Sequence, residues 1–153
     1  MDSISTLNTV LQNLCGERDA ARLALRKAQD AADRARQQAD QLSQYRDSYR
    51  QQWSNRFRTL GSGIDVVQCY QGFSSRLDQA ISQQGDSVTK AQSQLAQVHA
   101  HWLACEQKVA AIGKLIERRQ AELQRISARR EQRQLDEAAT RMALAGHAAQ
   151  MLS

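Results

Sequence analysis

Leu7, Leu11, Leu14, Arg18, Ala21, Leu25, Ala28, Ala32, Ala35, Ala39 and Leu42 follow one another in alternating steps of four and three. That spacing keeps one stripe of a helix turned toward a second helix, as in a coiled coil. Only Arg18 is polar. The same register continues through Arg46, Tyr49, Trp53, Arg56 and Leu60, where the stripe turns aromatic and partly charged. No proline interrupts it anywhere in the 153 residues, so a first helix is expected over about residues 3–59.

Gly61-Ser62-Gly63 is the one place where two glycines crowd together, and Asp65 follows as a possible helix N-cap. A turn is expected over about 60–65. Beyond it, Leu77, Ile81, Gln84, Val88, Ala91, Leu95, Val98, Trp102, Cys105, Val109, Ile112, Ile116, Arg119, Leu123 and Ile126 again alternate four and three. This predicts a second helix over about 66–146, with a flexible tail at 147–153. Helices joined by so short a turn run antiparallel, and residue i of the first faces a residue near 124 − i of the second. The pairing runs out near residue 120 and leaves the second helix from about Arg118 without a partner in the chain. The expected fold is therefore all-α: one domain over 1–153, a long antiparallel two-helix coiled-coil hairpin with an overhanging C-terminal helix. At 1.5 Å per residue its helices would be roughly 85 and 120 Å long. One intramolecular seam would bury most heptad residues, so an extended monomer is expected, with the stripe near Leu123 as the place where self-association would arise.

Composition narrows the function. Aromatic residues are 5% of the chain, too few for a thick core, and long helices with few loops give little room for a loop-built active site. The sequence has no glycine-rich phosphate loop, no HExxH, no paired-cysteine motif and no compact Ser/His/Asp arrangement. His99 and His101 point to different helix faces, and no His can be assigned to Cys105 from the sequence. Cys15, Cys69 and Cys105 are odd in number and too widely spaced for a structural zinc site, so they are read as small apolar thiols. The expectation is a non-enzyme with no metal, no cofactor and no small-molecule substrate. The apolar runs are too short to span a bilayer, and Met1–Ser5 lacks the features of a signal peptide, so a cytoplasmic location is expected.

Charge and aromatic rings are unevenly placed. Of a net charge of +5, the window Lys114–Arg133 holds seven basic residues against three acidic ones, nearly the whole excess. Such a window is ordinarily a solvated helix surface laced with pairs such as Arg118 with Glu122. That reading leaves Leu123, Ile126 and Leu135 exposed on a lone helix, and an apolar stripe flanked by arginines suggests a docking surface. Tyr45, Tyr49 and Trp53 share one helical face, opposite positions near 79, 75 and 71, beside Tyr70, Phe73 and Leu77. These rings could fill a widened seam or form an exposed binding patch.

Several segments together resemble the FliJ family, the small soluble component of the flagellar type III export apparatus. They are Tyr45-Arg-Asp-Ser-Tyr49-Arg50, Tyr70-Gln-Gly-Phe73 with Leu77, Ala80 and Ile81, then Trp102, Glu117-Arg118-Arg119 and Glu131-Gln-Arg-Gln-Leu135-Asp136-Glu137. The resemblance covers most of the chain. It implies an antiparallel coiled coil similar to the central stalk of rotary ATPases, binding the hexameric export ATPase and the cytoplasmic linker of the export gate membrane protein. The ATPase's regulator and export chaperones are further implied partners, and the implied location is the cytoplasmic side of the inner membrane, in peripheral association. The family's gate-binding surface maps onto Gln38, Leu42, Tyr45, Tyr49, Phe73, Leu77 and Ala80; Gln84 stands where a His can occur. The ATPase-binding candidates are Arg118, Arg119, Leu123, Arg125, Ile126, Arg129 and Arg130. One rival is the equivalent stalk of a virulence-type III secretion system. The other, a nucleic-acid-binding coiled coil using the arginine-rich segment, is disfavoured because Asp and Glu interrupt that run and no aromatic is interleaved with it.

Overall fold

A computed structural model describes residues 2–61 and 63–152. Its elements are two helices, α1 (Asp2–Leu60) and α2 (Ile64–Leu152), with no strand among the described residues. The two helices pack on each other as an all-α coiled coil. The turn is tighter than expected. Gly61 adopts φ +64°, the left-handed conformation that ends a helix without a Cβ penalty. Val67 N–H donates to the Gly63 carbonyl at 3.1 Å, the first bond of α2, so Gly63 holds the N-cap position and Asp65 lies inside the first turn. There its carboxylate faces the positive end of the helix dipole. Ser62, the central residue of the expected turn, lies outside the described residues. At the other end, α2 runs through Leu152 where a tail from residue 147 was expected. The alanine-, arginine- and glutamine-rich sequence there has high helix propensity and nothing to stop it.

Contacts divide the chain into two units: Glu17–Glu106, and Met1–Gly16 with Gln107–Ser153. In the first unit, the α1 seam is small: Ala21 and Ala32 are buried and Leu25, Ala28, Ala35, Ala39 and Leu42 half-buried. The α2 side supplies the larger side chains, with Leu77 and Cys105 buried and Ile81, Val88, Leu95, Val98 and Trp102 half-buried. Two of the polar seam positions, Arg18 and Gln84, make specific bonds across the helices. Arg18 keeps its stem in the seam and brings its guanidinium within 3.7 Å of Glu106, which Arg22 also meets at 3.4 Å. Gln84 Nε2 donates to the Ala35 carbonyl at 3.0 Å and to Gln38 Oε1 at 3.3 Å. These pairs obey the expected facing relation to within a few residues, and they fix a register that a row of alanines alone would leave slack.

In the first unit, the α1 seam departs from the expected register at one described position. Arg56 is exposed and Phe57 takes its place, half-buried; the Leu60 side chain lies outside the described residues. Successive steps of four from Tyr49 through Trp53 to Phe57 advance about 40° each around a helix of 3.6 residues per turn, so the row of rings slants across the seam and carries Arg56 off it. Its guanidinium lies 5.4 Å from the Trp53 ring centroid instead.

In the second unit, Ile4, Leu7, Leu11 and Leu14 of α1 are half-buried, as are Val109 and Ile112 of α2, and Ile116 is buried. From Glu117 through Leu152 every residue is exposed. Leu123, 39% exposed, still lines a groove with Ile4, Ser5, Asn8, Thr9 and Gln12; Ile126 is 46% and Leu135 65% exposed.

Two glycine substitutions are expected to act with opposite sign. Gly61→Ala forces a Cβ into the left-handed region and should destabilise the hairpin by about 1–2 kcal/mol. Gly85→Ala, in mid-helix with nothing within 4 Å of the added methyl, should stabilise it by up to about 1 kcal/mol. Urea unfolding followed by circular dichroism distinguishes them, and two midpoints shifted in the same direction would contradict the assignment.

Candidate partner-docking sites

The rings near the turn form one connected cluster in the first unit. Tyr49 lies at its centre, with ring centroids 4.5 Å from Phe73, 5.7 Å from Tyr70, 6.0 Å from Trp53 and 6.3 Å from Tyr45. Tyr70 closes the far side, 5.5 Å from Trp53 and 5.7 Å from Phe57. The slant across the seam sorts these side chains into two roles. Tyr49, Trp53, Phe57 and Tyr70 are half-buried between the helices, whereas Tyr45 is 53% and Phe73 37% exposed. Tyr45 and Phe73 meet edge to face at 6.4 Å, and the half-buried Tyr49 ring behind them contacts both.

The seven residues expected at the export gate fall along this same stretch. Leu42 and Ala80 are half-buried and Leu77 is buried at 7%, forming the floor; Gln38, Tyr45 and Phe73 are exposed. Gln38 is held by Gln84. Just outside the set, Arg50 and Asp78 bridge the helices at 3.4 Å on the surface, where such a pair orients side chains more than it stabilises.

The seven residues expected at the ATPase lie on the exposed part of α2 in the other unit. The expected pair of Arg118 with Glu122 is replaced by Arg119 with Glu122 at 3.3 Å, an i, i+3 contact. Among the described residues no carboxylate lies within ion-pair distance of Arg125, Arg129 or Arg130. Three uncompensated guanidinium groups therefore stand within two turns of the exposed Leu123 and Ile126.

The family model described as Flagellar FliJ protein matches residues 3–147, nearly the whole chain. This chain belongs to the FliJ family. It is thus a component of the flagellar-type export apparatus, in a family of structural export proteins. No curated protein and no solved structure matches it. Among the described residues of this FliJ chain, no helix is long and apolar enough to cross a membrane.

Two local features of the FliJ chain escape a heptad reading. Phe57 completes the row of four-residue steps that starts at Tyr45; the signal is that spacing, which a strictly alternating register hides by reaching Arg56 instead. Cys105 does have a histidine beside it: His101 Nε2 lies 3.7 Å from the sulfur, one turn earlier on the same helix. With 3% of Cys105 exposed, the thiol is a seam residue that no substrate reaches.

Tyr45→Ala and Tyr49→Ala should separate surface from seam. Loss of the exposed Tyr45 ring should change stability by less than about 1 kcal/mol, whereas loss of Tyr49, which touches four rings, should cost about 2–3 kcal/mol. Thermal unfolding of the two variants checks this, and equal melting temperatures would contradict it.

Proposed function

We propose that this chain is a non-enzymatic, central-stalk-like coiled coil that binds the hexameric export ATPase, promotes its assembly or activity, and links it to the export gate. In this reading Arg118, Arg119, Leu123, Arg125, Ile126, Arg129 and Arg130 meet the ATPase ring. Gln38, Leu42, Tyr45, Tyr49, Phe73, Leu77 and Ala80 meet the cytoplasmic linker of the gate protein. The ATPase's regulator and export chaperones are further partners, and the site of action is the cytoplasmic face of the inner membrane.

The observation that carries the proposal is the combination on α2 of exposed Leu123 and Ile126 with Arg125, Arg129 and Arg130, none of which has an acidic partner among the described residues. Surface arginines usually find carboxylates on their own helix at i, i+4. Left without them beside an apolar strip, they suit an acidic, partly apolar lumen. At the gate patch the support is the exposed Tyr45–Phe73 pair over a buried floor, since preorganised aromatic side chains are the usual anchors of interfaces.

Truncation after Arg119 should abolish stimulation of the cognate ATPase while leaving gate-linker binding intact; undiminished stimulation by the truncated chain would refute the ATPase assignment. Replacing Arg125 and Arg129 with Glu should slow association and flatten its dependence on salt, because long-range attraction acts mainly on the encounter rate. Tyr45→Ala should weaken gate-linker binding about thirtyfold, equivalent to ~2 kcal/mol, with helicity unchanged. Isothermal titration against the purified linker measures it, and unaltered affinity would exclude Tyr45 from the interface.

A further inference from the structure

The exposed part of α2 carries a second heptad stripe that the intramolecular seam does not use. Leu135, Ala138, Met142, Ala145, Ala149 and Leu152 follow steps of three, four, three, four and three, and all six are apolar. The earlier seam cannot extend to them. Continued past Ile126 in its own register it reaches Arg130, Arg133, Glu137 and Thr140 before it finds Leu144. Leu135 lies nine residues after Ile126, two and a half turns at 3.6 residues per turn, so the new stripe points away from the old one. All six residues are exposed, Leu135 at 65%, Met142 at 76% and Leu152 at 90%.

We propose that this stripe is a self-association surface on which a second copy of the chain packs antiparallel. A strict heptad spacing is what helix-on-helix packing selects. The stripe also reads nearly alike from its two ends, Leu-Ala-Met from one and Leu-Ala-Ala from the other, with the same spacing in both directions. Antiparallel pairing sets Leu135 against Leu152 of the second copy, Ala138 against its Ala149 and Met142 against its Ala145, and the two-fold axis repeats each layer. Every Met meets an Ala. A parallel pair would instead stack Met142 on Met142 between empty Ala layers, a poorer match of large to small.

Charge permits the same arrangement. The positions beside the stripe are Gln134, Ala139, Arg141, Gly146 and Ala148. Arg141 is held by Glu137 at 3.8 Å and would face Ala148 of the second copy, so no like charges are opposed. Flanks this neutral are unlike the basic rim of a helix that lies on anionic lipid. With 18 residues per copy and three alanine positions, the interface belongs to the small, transient class. The chain is then a monomer when dilute and a dimer when concentrated.

Sedimentation equilibrium of the full chain up to about 1 mM should show reversible dimers. Met142→Asp should raise the dissociation constant more than about tenfold with the circular dichroism unchanged, since Met142 is 76% exposed in its own chain. Orientation is read by disulfide trapping in a Cys15→Ser, Cys69→Ser background. A mixture of Ala138→Cys and Ala149→Cys chains should form the mixed disulfide in preference to either homodisulfide. A chain monomeric throughout this range, a dimer that survives Met142→Asp, or preferred homodisulfides would each overturn the proposal. So would flotation with phosphatidylglycerol-containing vesicles that depends on Met142 in the absence of dimers, which would assign the stripe to lipid.

Discussion

Everything in this structure hangs on a seam one side chain wide. Among the described residues only Ala21, Ala32, Leu77, Cys105 and Ile116 are buried, and none is wholly closed to solvent. Stability must therefore come from many half-buried positions added along the helices. In such a molecule alignment matters more than depth, because a slip of one heptad would cost little at any one alanine. The bonds of Gln84 to Ala35 and Gln38, and of Arg18 and Arg22 to Glu106, supply the missing specificity. They do so in the way a single polar residue at a coiled-coil core position sets register.

The helices were legible because one period ruled them. A stripe alternating four and three, no proline and a single glycine pair leave few other folds, and the half-buried positions of α1 track that stripe from Leu7 to Trp53. Legibility failed where side-chain size overrode period, as at Phe57, which displaces Arg56 because a row of rings prefers contact at every fourth residue. It failed again at the boundaries. Asp65 looks like a cap by residue type, but the carbonyl that accepts the first helical bond belongs to Gly63, and backbone conformation is not written in residue type.

The candidate sites were legible to different degrees. An i, i+4, i+8 row of rings places Tyr45, Tyr49 and Trp53 together on one face, yet the sequence could not say which ring would stay outside. That depended on how far the row drifts across the seam, a matter of tens of degrees per step. The arginine-rich segment was the reverse case. Its exposure followed simply from α1 being the shorter helix, while the ion pairs within it depended on rotamers, and Arg119 rather than Arg118 took Glu122.

The exposed run of α2 from Glu117 to Leu152 also has a consequence for motion. Its backbone hydrogen bonds have almost no tertiary burial to guard them, so their opening free energy is close to that of an isolated helix and far below that of residues backed by Ile116 or Leu77. In deuterated water those amides will exchange early, and whatever partner finally covers them will be written residue by residue as a slowing of that exchange.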